Sequence, residues 1–239
     1  MIKRLRSPVP SLIGFGMLLL CVCGLSTPVH ADDTELWIVT VARTELTPND
    51  PRWLGYLEVQ PRFGDYGTRL ILRPALGFKI FEGGEAWLGY AWIPTVFNGE
   101  APDTYENRLW QQWLASLKLQ FVDLSLRTRL EERFVTHADG MSLLLREMIR
   151  TNWKFVPDGI WYLPITLELM IDLNETDWQP QSGFDHYRLF GGLGLNVGGG
   201  LRFELGYALV HSIRDPGPDK LSHVASFNLF WDHQFSHPK

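Results

Sequence analysis

Charged side chains in this chain recur on every second position of several stretches. Glu58, Arg62, Arg73, Glu106, Arg108, Gln112, Arg127, Arg129, Glu131, Arg133, Glu168, Arg188 and Glu204 all sit on that polar phase. Carboxylates and guanidinium groups so spaced can do two kinds of chemistry. They can neutralise one another as a network, because a charge taken out of water has to be paired or hydrated. Alternatively, a surplus of arginine such as Arg127, Arg129 and Arg133 can attract a small anionic solute into a charged pore or groove. Both readings stay open at the level of sequence.

Hydrolytic chemistry would need a nucleophile and a base on one face. Beyond residue 31 the histidines are His137, His186, His211, His223, His233 and His237. His211 adjoins Ser212, His237 adjoins Ser236, and His186 adjoins Asp185. Adjacent residues of a strand point to opposite faces, so none of these neighbours can share a proton without a bulge. A lipid-modifying enzyme of the acyl hydrolase type is therefore the alternative reading, and no catalytic residue is assigned. Six histidines without a thiol or a close pair make no metal site. The glycines at 198–200 read as a tight turn without the helix a phosphate loop requires. No cofactor is expected.

The elements that would position these charges are long strands. Leu124, Leu126, Thr128 and Leu130 alternate with Asp123, Ser125, Arg127, Arg129 and Glu131, a period of two that a helix would scramble. The same alternation runs through 69–80, 161–172 and 201–209. The pattern places strands at 35–43, 52–63, 69–80, 85–95, 105–117, 121–134, 141–154, 160–173, 184–196, 200–212 and 221–235. Several reach 11–14 residues, longer than the roughly 5–6 usual in soluble sheets and close to what a tilted membrane-spanning strand needs. Trp53, Trp92, Trp113, Trp153, Trp161 and Trp231 fall near strand ends, where interfacial aromatic girdles belong. The expected fold is an all-β, antiparallel transmembrane barrel of 10–12 strands. Eleven segments conflict with the even number expected when both chain ends lie in the periplasm. Either 35–43 is no wall strand, or 32–67 hides another. Glu147 shares the apolar face of Leu143, Leu145 and Ile149, which predicts a bulge or a position near an interface.

The first residues read as an export signal. Lys3, Arg4 and Arg6 precede an uncharged run from Leu12 to Leu25, and Val29 and Ala31 supply a cleavage site. The division is 1–31 signal peptide and 32–239 a single barrel domain. Both cysteines, Cys21 and Cys23, lie in the signal, so thiol and disulfide chemistry leave with it. Three of the 22 basic residues and none of the 27 acidic ones lie there as well, which leaves a formal charge of −8 and argues against nucleic acid as a partner. The expected location is the bacterial outer membrane. The expected partners are outer-membrane lipid, the periplasmic chaperones and barrel-assembly machinery used during biogenesis, and, on the pore or groove reading of the charges, a small anionic solute. Ala225, Phe227, Leu229, Trp231 and Phe235 resemble the C-terminal aromatic signal read by that machinery, with four residues following the last aromatic.

Six short motifs occur in order: Glu58-Val-Gln60-Pro-Arg62-Phe63, Arg73-Pro74-Ala-Leu-Gly77-Phe78, Trp87-Leu-Gly89-Tyr90, Glu106-Asn-Arg108-Leu-Trp110-Gln111-Gln112, Arg127-Thr-Arg129-Leu-Glu131-Glu-Arg133 and Glu204-Leu-Gly206-Tyr207. Together they resemble the uncharacterised bacterial family catalogued as domain of unknown function 2490. That resemblance covers nearly all of the chain after the signal. It implies an outer-membrane barrel and no activity.

Overall fold

The computed structural model describes residues 33–213 and 217–235. The signal peptide expected at 1–31 lies outside them, as do Ser236 and His237. Eleven strands follow one another: β1 (Asp33–Glu45), β2 (Trp53–Gly64), β3 (Gly67–Phe81), β4 (Gly84–Phe97), β5 (Thr104–Lys118), β6 (Val122–Val135), β7 (Ser142–Lys154), β8 (Trp161–Asp172), β9 (Gly183–Gly198), β10 (Leu201–Ser212) and β11 (Lys220–His233). Each pairs antiparallel with its sequence neighbour, and the sheet closes on itself as a barrel.

Closure corrects the expectation of an even count. β1 is a full wall strand, and it pairs with β11 in parallel from Asp33↔Ser222 to Thr44↔His233. An odd number of strands in an up-and-down barrel forces this one parallel seam, because first and last strands then run the same way. The seam joins the two edge strands along nearly their whole length, so the barrel has no free edge. A second expectation falls with the first. β11 ends at one rim, whereas β1 begins at the other, beside Ser222.

Connections separate the rims. At the rim where β1 begins they span 98–103, 136–141, 173–182 and 213–219, with 65–66 the one tight turn. The opposite rim has 82–83, 119–121 and 199–200, together with longer links at 46–52 and 155–160. Gly200 shows why glycine is needed at a tight turn: its φ is 80°, and a Cβ there would lie 1.8 Å from the carbonyl oxygen of Asp232.

The alternation sorts apolar residues outward and charge inward. Leu57, Leu76, Leu88, Leu126, Leu193 and Leu205 are among the exposed outer residues. Trp53, Trp113, Trp153, Trp161 and Trp231 also face outward, toward the rim where β11 ends. The inside is packed by Leu54, Ile71, Trp87, Ala91, Ile93 and Trp110, and by a smaller group of Trp37, Ala208, Val210 and Val224. Rings on one strand lie over glycines on the next. A Cβ on Gly89 would meet the Trp110 ring at 2.3 Å, which accounts for the glycine in the Trp87-Leu-Gly89-Tyr90 motif.

The expectation for Glu147 is also corrected. β7 pairs regularly with both neighbours, and Glu147 is the sixth of its thirteen residues, far from either end. Its side chain faces outward and accepts a 2.8 Å hydrogen bond from the Thr128 hydroxyl directly across the ladder. The register shifts lie elsewhere, between β3 and β4, β8 and β9, and β9 and β10.

The face assignment is testable in lipid. Leu126 is exposed on the outer wall, whereas its neighbour Arg127 bonds Glu168 inside. Replacing Leu126 with Arg is expected to cost about 2–4 kcal/mol in protein refolded into vesicles and titrated with denaturant, and Leu126→Ala much less. A harmless Arg at that position would show that the outer wall does not face hydrocarbon.

Candidate functional site

All thirteen candidate side chains lie on the inner face, and most converge on one network. Its centre is Glu131, fully buried on β6. One carboxylate oxygen lies 2.7 Å from Arg146, 3.3 Å from Arg129 and 4.0 Å from Arg73, and the other lies 2.5 Å from Arg108. Around it the carboxylates form a second tier. Glu58 holds Arg73 at 2.7 Å and accepts a 2.6 Å bond from the Tyr56 hydroxyl. Glu106 bridges Arg108 at 2.8 Å and Arg133 at 2.6 Å. Glu168 gathers Arg127, Arg146 at 2.6 Å and Arg188 at 3.7 Å. Gln112 accepts two bonds from Arg129, whose guanidinium also lies 4.3 Å from the Trp110 ring centroid. The network therefore ties β2, β3, β5, β6, β7, β8 and β9 together across the lumen.

The strand register explains why carboxylates sit where they do. Arg129 faces Arg146 directly across the β6–β7 ladder, and Arg108 faces Arg133 across β5–β6. Like charges directly opposite repel. Each pair is relieved by one carboxylate that touches both members, Glu131 for the first and Glu106 for the second. Charge-assisted bonds in a water-poor interior are strong, and removing one partner exposes the other to the full cost of burial.

Two candidates stand apart. Glu204 accepts bonds from Arg150 and from the Tyr162 hydroxyl at 2.8 Å, with Asn228 at 3.4 Å, and forms its own cluster on β10. Arg62 is 7% exposed and bonds Gln60 at 3.1 Å, with its guanidinium 3.9 Å from the Trp37 ring centroid. It faces Arg69 across β2–β3. Among the described residues no carboxylate lies within ion-pair distance of either arginine, and Nε of Arg62 is buried without a hydrogen bond.

Sequence reasoning missed Arg146, which reaches both Glu131 and Glu168 and so joins the two halves of the network. The signal was there: with Glu147 outward, alternation turns Arg146 and Arg150 inward. Asp185 and His186 meet through the kind of bulge that the alternation made necessary for such a contact. The register shift between β8 and β9 lets the Asp185 carboxylate meet His186 Nδ1 at 2.6 Å, although the two are adjacent. Among the described residues Nε2 of that ring is buried and makes no hydrogen bond. His211 faces outward, stacked on Tyr187 and 3.3 Å from Asp219, while Ser212 belongs to the inner face. Over the lumen, Trp178 of the 173–182 connection lies 5.0 Å from the Arg133 guanidinium.

Glu131→Ala would leave four guanidinium groups crowded round a missing charge. Unfolding free energy in vesicles is expected to fall by about 3–5 kcal/mol. Adding Arg146→Leu to that variant should restore part of the loss, and a double-mutant cycle measures the coupling. Strict additivity of the two substitutions would remove Glu131 from its central place.

An uncharacterized protein of Methylorubrum extorquens is 32% identical over 227 residues, covering 90% of this chain and 96% of its own length. Among solved structures, outer-membrane expressed OmpT of Vibrio cholerae aligns at 10% identity over 67% of this chain, with a TM-score of 0.41. This chain spans only 55% of that protein. The model of a family described as protein of unknown function (DUF2490) matches residues 34–221, most of the barrel, and the chain belongs to that family.

Proposed function

We propose that this protein is a bacterial outer-membrane β-barrel with a self-sealed lumen, a structural or binding barrel rather than an open pore. The observation that carries this reading is the complete burial of Glu131 among arginines in the middle of the lumen. A wide aqueous channel would hydrate that carboxylate. Three features support the membrane: the leucine-rich outer wall, the tryptophans toward one rim, and the closed ladder, the only β arrangement that satisfies its backbone in lipid. The outer face of β11 presents Ala225, Phe227, Leu229 and Trp231, which suits it as the strand offered to periplasmic chaperones and assembly machinery.

A second reading rests on Arg62 and Arg69. Two opposed arginine pairs in this barrel are bridged by a carboxylate; this third pair is not. A small anionic solute with a carboxylate or phosphate group would supply the missing bridge. The Arg127–Arg133 segment, by contrast, spends its charge on Glu106, Glu131 and Glu168.

Two measurements test these readings. The protein should fractionate with the outer membrane, shift on gels between boiled and unboiled samples, and show no porin-sized conductance in planar bilayers. Recovery as a soluble periplasmic protein, or steady large openings, would refute the sealed barrel. For the second reading, inorganic phosphate should raise the denaturation midpoint of the wild type and not of Arg62→Gln. Equal response of the two proteins would exclude the anion at that pair.

A further inference from the structure

Two guanidinium groups of the lumen keep most of their hydrogen-bonding capacity, and both lie against one indole ring. Arg62 of β2 and Arg188 of β9 have their guanidinium carbons 3.9 Å and 5.3 Å from the Trp37 ring centroid. An arginine carries five N–H donors. Among the described residues Arg62 spends one of them, on Gln60, and Arg188 makes no hydrogen bond; Nε of each is buried. Arg188 has only a 3.7 Å ion pair with Glu168, whose other oxygen is taken by Arg127 and Arg146. Glu35, on the same face of β1, accepts from the Trp37 indole at 2.6 Å and from the Tyr66 hydroxyl at 3.5 Å, and pairs with neither arginine. Arg69, opposite Arg62 on β3, gives its Nε to Thr95 at 3.0 Å. The group lies toward the rim where β1 begins: Trp37 is four residues from the start of β1, Arg62 two from the end of β2, and Arg188 five from the start of β9.

Resting on the reading of Arg62 and Arg69 as an unbridged pair, we propose that this site takes a phosphate group and that Arg188 is its third arm. Where the protein bridges two opposed arginines itself, one carboxylate is enough, as Glu131 and Glu106 show. A third guanidinium, brought from the other side of the β1–β11 seam, calls for more oxygens and more charge than one carboxylate supplies. A phosphate group brings both, about two negative charges and three acceptor oxygens. Guanidinium groups bind it through paired N–H···O contacts. An arginine stacked on an indole keeps its in-plane donors for such a ligand, so Trp37 serves as the floor of the site. These side chains face the lumen, so a lipid head group outside the wall does not reach them, and the ligand is a water-soluble phosphate compound. Bound there, it joins β2 to β9 across the seam and stabilises the closed barrel.

The test uses protein refolded into phosphate-free detergent micelles at fixed ionic strength. Its denaturation midpoint is followed against inorganic phosphate and, separately, against acetate. The wild type is expected to gain stability with phosphate and far less with acetate. Arg188→Gln is expected to weaken the apparent phosphate affinity by about tenfold or more. Arg188→Lys keeps the charge but loses the fork of donors, so its affinity should fall between the two. It decides the matter if Arg188→Gln does not fold. A wild-type response in both Arg188 variants, with the response lost in Arg62→Gln, would overturn the third arm and leave the Arg62–Arg69 reading standing. Acetate as effective as phosphate would overturn the phosphate assignment. A wild type indifferent to phosphate would refute the site and that reading together.

Discussion

Glu131 takes four arginines on one buried carboxylate, and the interior is arranged around that fact. A lone carboxylate in a water-poor lumen would be untenable, and so would four unpaired guanidinium groups. Each makes the other acceptable only at short, well-directed distances. The wall strands must therefore hold their register to within a fraction of a residue pair. A slip of one residue would carry every inward charge of a strand to the outer wall. The network is thus a register lock: it gains little as a set of ion pairs and loses much if any strand moves.

The same logic divides labour between the faces. In a soluble domain the apolar residues meet inside. Here leucines and tryptophans cover the outside, while arginines, glutamates and a few large rings fill the inside. Filling is achieved by size complementarity between strands. Trp110 lies over Gly89, and Tyr162 over Gly194. Glu147 and Glu132 are the exceptions on the outer wall, and their placement on adjacent strands makes them a local feature of one face, not scattered defects.

Closure imposes a further constraint. With eleven strands the seam has to be parallel, and the twelve paired positions between β1 and β11 make it as long as the antiparallel ladders. Its inner face carries Asp33, held 2.8 Å from Lys220 across the seam. Four residues along the same face of β1, Trp37 supports the Arg62 and Arg188 guanidinium groups from β2 and β9. The seam is thereby packed from within as well as hydrogen-bonded along its length.

The sequence by itself determined the strands, their approximate ends and which side chain faces which way. Those properties depend on a period of two, and a period is a local quantity that a single chain displays. Asp123 to Glu131 alternating with Leu124 to Leu130 is enough to orient β6. The motif order also pointed to the family. What only the tertiary structure decided is non-local. Alternation cannot count strands around a closed ring, so the parity argument displaced a strand set that matches the eleven found. Nor does it say which charges meet: Arg146 joins Glu131 to Glu168, and Arg73 reaches Glu131 from three strands away, because tilt and closure bring distant strands to one level of the lumen. The bulge that lets Asp185 touch His186, and the regular ladder that leaves Glu147 facing out at mid-strand, were likewise set by pairing between strands, which no single strand's pattern records.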